Sequence, residues 1–402
     1  MRPLTQTLSY QDAVRIIMDA AVPMARTERV AIGAAHGRVV AEDVRAAGDV
    51  PPFDRAAMDG YAVIAADTAG AGVHSPKTLT CVDRVFTGQV PARGVGPGEC
   101  IEIATGAPLP AGADAVVMVE DTARDGPAVR VLNAVQPRQH VGRRGADLTT
   151  GQTVVRAAQL LTPSRVGALA ATGIAIVNVY ARPTVAILST GNEIAEPGAP
   201  LAPGQIYDIN RYTLEGVVTA HGGTAVVLPA AGDSLEDLGR ALEAARRCDI
   251  VVFSGGSSVG DRDLMLDALQ RHGEVRFHGI AVKPGKPTLF GSIGATPVFG
   301  MPGYPTSCLS NAYMLLLPFL RRVARLPPWA PRTVDLPLAR RVASATGRHQ
   351  FYTVRIEDGR AEPAFKASGD ITSMAHADGY IEIPAQTDVV EAGTMVTVTL
   401  FQ

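Results

Sequence analysis

The chain has 402 residues, of which 47% are hydrophobic and 19% charged, and this composition excludes a wholly disordered protein. At roughly 100–200 residues per domain, the length predicts two to four domains. The 37 basic and 39 acidic residues leave a net charge of −2, which provides no overall attraction to nucleic acid or to an anionic membrane. We therefore expect neither of them as a partner.

The cysteines and the apolar segments indicate a cytoplasmic protein. Asp12, Arg15 and Asp19 interrupt the first apolar segment, so it lacks the core of a signal peptide. The uncharged stretch of residues 297–320 contains four prolines and two glycines, a composition that argues against a membrane span. The four cysteines include no C-x-x-C pair, which argues against a disulfide framework and a thiolate zinc site.

The N-terminal part of the chain is predicted to be rich in β-structure. Ser9-Tyr-Gln-Asp12 has the pattern of a capped helix start, and apolar residues follow it at helical spacing. From there to about residue 150, turns separate short apolar runs. Another helix is predicted from Thr162-Pro163 to about Ala171, because threonine caps helices and proline fits their first turn.

Between Arg182 and Arg325, apolar runs alternate regularly with helical patterns. This alternation predicts a doubly wound, mostly parallel α/β sheet. The predicted strands are residues 185–188, 225–228, 249–253, 279–282 and 296–300, and the predicted helices are 211–221, 234–247, 263–271 and 306–325. A proline-rich linker follows at 326–331. Beyond it, period-two alternation without a convincing helix predicts a small all-β domain.

Loops rich in glycine and carboxylates follow the predicted strands. Because strand-to-helix loops leave such a sheet at its carboxyl edge, we expect these loops in one crevice. The loop after the third strand is typical of a phosphate site, since its backbone N–H groups and the next helix start attract anions. Its key residues are Gly255, Gly256, Ser257 and Ser258.

Four carboxylates lie on these loops, and their role has two interpretations. They are Glu193, Asp233, Asp261 and Asp263. Beside a polyphosphate, carboxylates hold Mg²⁺ or orient a nucleophile. The alternative is helix capping, which for Asp233 is an equally good explanation.

Two basic segments are candidate anion sites. The chain has only four lysines, and two of them lie in the loop Lys283-Pro-Gly-Lys-Pro287; chance clustering is the alternative. In Arg143-Arg144-Gly-Ala-Asp147, two guanidinium groups stand beside a carboxylate, an arrangement that can clamp an oxyanion. Without further context, a solvated charged turn is the simpler explanation of this second segment.

Six motifs stand in order along the chain. They are P-P-F-D-x-x-x-M-D-G-Y-A (51–62), A-T-G-A-P-L-P-x-G-A-D-A-V-V (104–117), R-R-G-x-D (143–147), L-S-T-G-x-E (188–193), S-G-G-x-S-V-G-x-x-D (254–263) and K-P-G-K-P (283–287). Together they resemble the MoeA family and the E domain of gephyrin, the molybdopterin molybdenumtransferases of molybdenum-cofactor synthesis. The chain departs from the family pattern at Ala56, Gly279 and Tyr304, where members carry serine, in some cases lysine, and asparagine.

The resemblance implies an elongated homodimer of four-domain subunits. It implies a small helical subdomain (1–45 with 148–178), a β-rich domain (46–147), a MogA-like α/β domain that binds molybdopterin (179–326) and a C-terminal β-barrel-like domain (327–402). The active cleft is expected between the α/β domain of one subunit and the β-rich domain of its mate.

The reaction that the resemblance implies joins molybdate to the dithiolene of adenylylated molybdopterin and releases AMP, with Mg²⁺ as cofactor. The implied catalytic residues are Asp59, Asp147, Asp233 and Asp263, the first two reaching across from the partner subunit. The implied metal ligands are Asp233, Asp263 and Glu193. From the motifs and the loops together, the predicted substrate-binding residues are Thr105, Arg143, Arg144, Glu193, Gly255, Gly256, Ser257, Ser258, Lys283, Lys286 and Ser373.

Two other functions suit the same fold. One is a non-catalytic scaffold, as the gephyrin resemblance allows, although a scaffold has no need of charges crowded around one cleft. The other is the adenylyltransferase step, because the α/β unit also resembles the MogA-type domain that performs it. Against this second alternative, the chain has only one such unit and three further domains. We also expect a contact with the upstream adenylyltransferase, which would deliver the substrate.

Overall fold

The structure, a computed structural model, describes residues 7–232, 234–255 and 264–401. The chain forms two compact units: unit 1 contains Met1–Glu28 and Tyr180–Gln402, and unit 2 contains Arg29–Val179. In the described residues, no helix is both long enough and apolar enough to cross a membrane. The four domain boundaries derived from the sequence stay a prediction.

The α-helices of the described residues are α1 (Tyr10–Asp19), α2 (Pro163–Ala171), α3 (Asn210–Ala220), α4 (Leu235–Ala245), α5 (Leu264–His272), α6 (Pro305–Asn311), α7 (Leu317–Val323) and α8 (Thr372–Ala375). Short 3₁₀ turns occupy Ile32–Ala34, Ala65–Thr68 and Val119–Asp121, and a π-helical turn occupies Ala312–Leu316.

The strands are numbered in chain order. The first eleven are β1 (Thr27–Ala31), β2 (Val44–Arg45), β3 (Arg55–Ala56), β4 (Gly60–Val63), β5 (Lys77–Val85), β6 (Glu99–Ile103), β7 (Ala115–Met118), β8 (Thr122–Asp125), β9 (Ala128–Val131), β10 (Val141–Gly142) and β11 (Thr153–Val155). The others are β12 (Ile176–Tyr180), β13 (Thr184–Ser189), β14 (Ile194–Ala195), β15 (Ile206–Tyr207), β16 (Thr224–Val227), β17 (Ile250–Ser254), β18 (Glu274–His278), β19 (Val282–Lys283), β20 (Leu289–Ile293), β21 (Thr296–Met301), β22 (Thr333–Pro337), β23 (Val342–Ala343), β24 (His349–Glu357), β25 (Arg360–Pro363), β26 (Gly379–Ile383), β27 (Val389–Val390) and β28 (Met395–Leu400).

The central sheet of unit 1 has the strand order β16-β13-β17-β21-β20-β18. The first four strands are parallel, while β20 and β18 run antiparallel to their neighbours. Alternate residues of β13 face two apolar layers: Val185 and Ile187 join one, Ala186 and Leu188 the other. Because both faces of β13 are buried, its sequence is a continuous apolar run rather than an alternating one. The prediction of a doubly wound, mostly parallel sheet is confirmed.

The antiparallel edge of this sheet was not predicted. Strands β20 and β21 pair across Gly294 as a hairpin, with Ile293 opposite Thr296. The predicted strand at 279–282 is wrong, because the flanking strand β18 ends at His278 and only Val282 lies in a strand, the short β19. Gly279 interrupts the run with a positive φ of 97°, a conformation that regular strands do not contain.

Helix α1 belongs to the core of unit 1. Its cap is as predicted, since the Ser9 hydroxyl accepts a hydrogen bond from the Asp12 N–H at 3.1 Å. The predicted subdomain grouped residues 1–45 with 148–178, whereas the structure packs Ala13 and Ile17 of α1 into the layer that contains α3 and α7. The physical reason is the apolar face of α1, which is buried against this layer.

The C-terminal residues form a β-sheet, as predicted. Its strand order is β19-β24-β26-β28-β22, and β25 pairs with β24. The edge strand β19 comes from the α/β part of the chain and pairs in parallel with β24, with Lys283 opposite Gln350. The four-residue helix α8 was not predicted, because a single turn leaves no periodic signal.

Unit 2 is rich in β-structure, as the sequence predicts. Its largest sheet has the order β7-β4-β6-β5-β9-β8. Successive residues of β4 face opposite sides of this sheet, so that Tyr61 and Val63 join one apolar cluster and Ala62 another. A third cluster surrounds Leu169 of α2, whose Thr162 cap accepts from the Arg165 N–H at 3.4 Å.

Candidate active site

A cleft of about 600 Å³ opens at the carboxyl edge of the unit 1 sheet. Here β13, β17 and β21 end in register, with Ser189 opposite Ser254 and Ser254 opposite Met301. Because β13 lies between β16 and β17, the order of strands reverses at this point. Ligands of open α/β sheets bind in the crevice at such a switch point.

The loops that follow these strands approach one another closely. The Gly255 N–H donates to the Met301 carbonyl at 3.2 Å. Gly255 has a φ of +91°, and a Cβ at this position would lie 2.6 Å from the Thr190 carbonyl oxygen. Only glycine fits both conditions, so backbone rather than side chain forms this part of the cleft wall.

Several predicted residues lie outside the described residues. They are Asp233, Gly256, Ser257, Ser258, Asp261 and Asp263. The roles assigned to them from the sequence stay predictions. Their described neighbours Gly255 and Ser254 line the cleft.

Asp208 and Asn210, which the sequence analysis did not identify, form part of one wall of the cleft. Asp208, 7% exposed, accepts from the Ser189 hydroxyl at 2.5 Å and from the Arg211 N–H at 3.0 Å. Asn210 donates from Nδ2 to the Gly303 carbonyl at 2.8 Å, while its buried Oδ1 has no hydrogen-bond partner among the described residues. The sequence signal was the polar pair Asp-x-Asn at the start of α3, a pattern typical of helix starts.

The loop with the two lysines lines the opposite wall. The amide of Asn311, which is fully buried, donates from Nδ2 to the Gly285 carbonyl at 3.0 Å. The Thr288 hydroxyl donates to the same carbonyl at 2.7 Å. These bonds fix the backbone between Lys283 and Lys286, both of which line the cleft.

Among the described residues, three with cationic side chains line the cleft. Arg348, which the sequence analysis missed, joins Lys283 and Lys286. Arg348 precedes β24, which pairs with β19, and the His349 N–H donates to the Ala281 carbonyl at 2.8 Å. This pairing places Arg348 beside the lysine loop. The carboxylates of the described lining are Glu193, which is exposed, and the buried Asp208.

The cleft also exposes large apolar and aromatic side chains. Tyr304 is 68% exposed, Ile206 56% and Tyr207 41%, and all three line the cleft. Such groups at a concave site suit a planar ring that stacks against them. Tyr304, which stands where the resembling motif carries asparagine, thus presents an exposed ring to the cleft.

Ser373 lies elsewhere than the prediction implied. It is 1% exposed in α8, and its hydroxyl donates to the Asp370 carbonyl at 2.5 Å. The lining of the cleft in the described residues includes Ser368 instead. This loop is held against the start of α6, because the Thr306 N–H donates to the Ser368 carbonyl at 3.1 Å.

The remaining predicted residues belong to unit 2. Asp59 accepts from the Thr105 N–H at 2.6 Å, and the Thr105 N–H and hydroxyl lower the pKa of Asp59. The structure thus brings two predicted residues together and keeps an exposed carboxylate ionised.

The basic segment of unit 2 is only partly available to a ligand. The Arg144 guanidinium donates from Nε to Asp49 at 2.5 Å, and the Arg144 N–H donates to Asp54 at 2.8 Å. Arg143 and Asp147 are exposed. An oxyanion would meet Arg143 more readily than Arg144, which is already paired.

The fold and the site define a doubly wound α/β domain with cationic and aromatic side chains in the cleft at its switch point. Comparison with known families makes the class specific. Residues 8–173 match the MoeA N-terminal region (domain I and II), residues 186–322 the "Probable molybdopterin binding domain" and residues 335–401 the MoeA C-terminal region (domain IV).

Individual relatives resemble the chain over nearly its whole length. Molybdopterin molybdenumtransferase 2 of Mycobacterium tuberculosis is 35% identical over 402 residues, covering 97% of this chain and 98% of its own. The Haemophilus influenzae molybdopterin molybdenumtransferase is 33% identical, with 94% of each chain covered. A crystal structure of the molybdopterin biosynthesis MoeA protein from Pyrococcus horikoshii OT3 aligns with a TM-score of 0.80 and 32% identity over 98% of this chain and all of its own. The chain belongs to the MoeA family.

Proposed function

We propose that this protein is a molybdopterin molybdenumtransferase, which inserts molybdate into adenylylated molybdopterin and releases AMP. The observation that carries the proposal is the convergence of Lys283, Lys286 and Arg348 with the exposed ring of Tyr304 in one switch-point cleft. The relatives named molybdopterin molybdenumtransferase, which match the chain almost from end to end, support it further.

The chemistry of this substrate fits the cleft. Adenylylated molybdopterin carries a diphosphate, and the compact ammonium groups of Lys283 and Lys286 suit phosphate oxygens. Arg348 adds a planar guanidinium that can bond two oxygens at once. The ring system of the substrate would stack on Tyr304, which is exposed in the cleft.

Release of AMP breaks the phosphoanhydride bond: a water oxygen bonds to one of the two phosphorus atoms, the bridging P–O bond breaks, and AMP leaves. Negative charge grows on the phosphate oxygens as this bond breaks, and fixed cations in a cleft stabilise that charge more than water does. The lysine loop is suited to this role because Asn311 and Thr288 hold its backbone in place. Little reorganisation is then needed during the reaction.

Mg²⁺ is proposed as the cofactor. In the described residues, no group of three or more potential ligands lies together. Mg²⁺ bound to phosphates nevertheless needs only one or two carboxylates, and Glu193 supplies an exposed one at the cleft. When bound, Mg²⁺ would neutralise charge on the diphosphate. The other proposed ligands, Asp233 and Asp263, lie outside the described residues.

We further propose that the active protein is a homodimer in which Asp59 of the partner subunit and Asp147 of the partner subunit complete the site. The family resemblance supports this arrangement. Mixing two impaired variants tests it: Asp59→Asn and Lys283→Gln should each have strongly reduced activity alone, and activity should rise when their subunits are exchanged. If the activity of the mixture does not rise while subunit exchange is demonstrated, the shared site is refuted.

The central experiment measures AMP released from adenylylated molybdopterin by the purified protein. We expect release only with molybdate present, and we expect EDTA to abolish it. Lys283→Gln should lower kcat/KM by about 10–150-fold, since a hydrogen bond to a charged group contributes about 1.5–3 kcal/mol. Lys77→Gln is the matched control, because Lys77 is an exposed lysine of β5 in unit 2, and it should change nothing.

The same assay separates the alternatives. A scaffold releases no AMP under any condition. An adenylyltransferase consumes ATP and molybdopterin instead. AMP release without molybdate would refute the proposed function.

A further inference from the structure

A second cavity of about 230 Å³ lies in unit 1, and its described lining shares no residue with that of the proposed active site. It is lined by α3, by Tyr313 of the π-helical turn, by the end of β28 and by Trp329 of the proline-rich linker. Its aromatic side chains are Tyr212, Tyr313, Trp329, Tyr380 and Phe401. None of them has a role in the proposed reaction.

His221 provides the polar feature of this cavity. It follows the last residue of α3, is only 6% exposed, and its buried Nδ1 has no hydrogen-bond partner among the described residues. Trp329 packs edge-on against its ring, with centroids 4.8 Å apart. Burial and the nearby Arg321 lower the pKa of His221 to about 4, so the ring is neutral at pH 7. A neutral imidazole offers one donor and one acceptor.

The helix that borders the cavity leaves room for an occupant. Gly216 lies inside α3 and lines the cavity, and a Cβ at this position would meet nothing within 4 Å. Glycine in a helix interior costs about 1 kcal/mol relative to alanine. The helix thus forgoes stability at an exposed position on the lining of the cavity. The π-helical turn with Tyr313 is a further irregularity, and such turns are frequent at functional sites.

The size and charge of the cavity define what it can hold. Its described lining contains no Lys, Arg, Asp or Glu side chain, so a phosphate or carboxylate inside it would lack a partner of opposite charge. Its volume of about 230 Å³ can hold a two-ring base. We propose that this cavity binds a neutral bicyclic nitrogen heterocycle, a purine or pterin ring without phosphate, stacked on its aromatic walls and hydrogen-bonded to His221.

Trp329 makes the test direct, because it is the only tryptophan of the chain. Adenine and unsubstituted pterin are titrated into the full-length protein while the fluorescence of Trp329 is recorded. We expect a saturable change with at least one of these bases and at least tenfold weaker binding of AMP than of adenine. No saturable change with either base, or AMP binding as tightly as the base, would overturn the proposal.

Three variants locate the response. Gly216→Leu fills the cavity and should abolish binding without lowering the melting temperature. Gly167→Leu is the matched control, because Gly167 is also a helical glycine whose Cβ would meet nothing within 4 Å, and it should bind normally. His221→Phe keeps a ring but removes both nitrogens, and should weaken binding about tenfold, as the loss of one hydrogen bond does.

These variants also separate this cavity from the active site. Gly216→Leu should leave molybdate-dependent AMP release unchanged, and Tyr304→Ala should leave the Trp329 response unchanged. Full binding by both Gly216→Leu and His221→Phe would place the base elsewhere and refute the proposal. If Gly216→Leu does not fold, His221→Phe decides alone.

Discussion

Replacing Gly285 by alanine tests how the lysine loop is held in the active site. Gly285 has a φ of +102°, and a Cβ there would lie 2.5 Å from Nδ2 and 2.6 Å from Oδ1 of Asn311. Asn311 is fully buried and anchors the loop by donating to the Gly285 carbonyl. The added methyl group therefore meets a side chain that has little freedom to move.

The expected cost has two parts. A non-glycine residue in this region of φ costs about 1–3 kcal/mol, and overpacking against Asn311 costs about 1–3 kcal/mol more. Gly285→Ala should therefore lower the free energy of unfolding by about 2–6 kcal/mol. Because the loop carries Lys283 and Lys286, its displacement should also lower kcat/KM, by roughly a hundredfold for a shift of about 1 Å.

The control isolates the steric part. Gly294 also has a positive φ, +59°, but a Cβ there would meet nothing within 4 Å. Gly294→Ala should therefore cost only about 1–2 kcal/mol and leave kcat/KM unchanged. Urea unfolding and AMP release measure both variants. If Gly285→Ala unfolds at the same urea concentration as Gly294→Ala and keeps full activity, close packing against Asn311 is not what requires glycine here.

Two further predictions concern a ring of the active site and a carboxylate in unit 1. Tyr304→Ala should raise KM for adenylylated molybdopterin about 2–13-fold, as the loss of about 0.5–1.5 kcal/mol of stacking does, whereas Tyr304→Phe should keep KM; equal KM values for the two variants would contradict stacking. Burial favours a higher pKa for Asp249, but hydrogen bonds from Arg26 and Thr184 outweigh it and lower the pKa below the usual 3.8. The ionised Asp249 therefore stabilises the folded protein above about pH 4, and this contribution is lost as pH falls through the lowered pKa. Asp249→Asn should be about 1 kcal/mol less stable than the parent at pH 7, and the difference in stability should be smaller near pH 3. A gap that does not shrink in acid would exclude the ionised carboxylate as its source.

The sequence predicted the elements whose signals are local. Ser9 and Thr162 were identified as helix caps, and each accepts the expected backbone hydrogen bond. The apolar run of β13 indicated a strand buried on both faces, and both faces are covered. Such signals are readable because capping and burial depend on residues a few positions apart.

The sequence was less informative about polar residues that act at a distance. Arg348 reaches the cleft only because β24 pairs with β19, a contact between residues more than sixty positions apart. Ser368, rather than the predicted Ser373, lines the cleft because a loop folds against the start of α6. Neither arrangement leaves a local pattern in the sequence.

By itself, the sequence determined the alternation of strands and helices, the glycine and lysine loops, and the membership of the MoeA family. Tertiary structure alone decided which side chains share the cleft, which guanidinium is already paired, and that a cavity lies beside Gly216. The physical reason is that hydrophobic periodicity and capping are properties of neighbouring residues, whereas the position of a charged side chain depends on strand register and on the loops that pack around it.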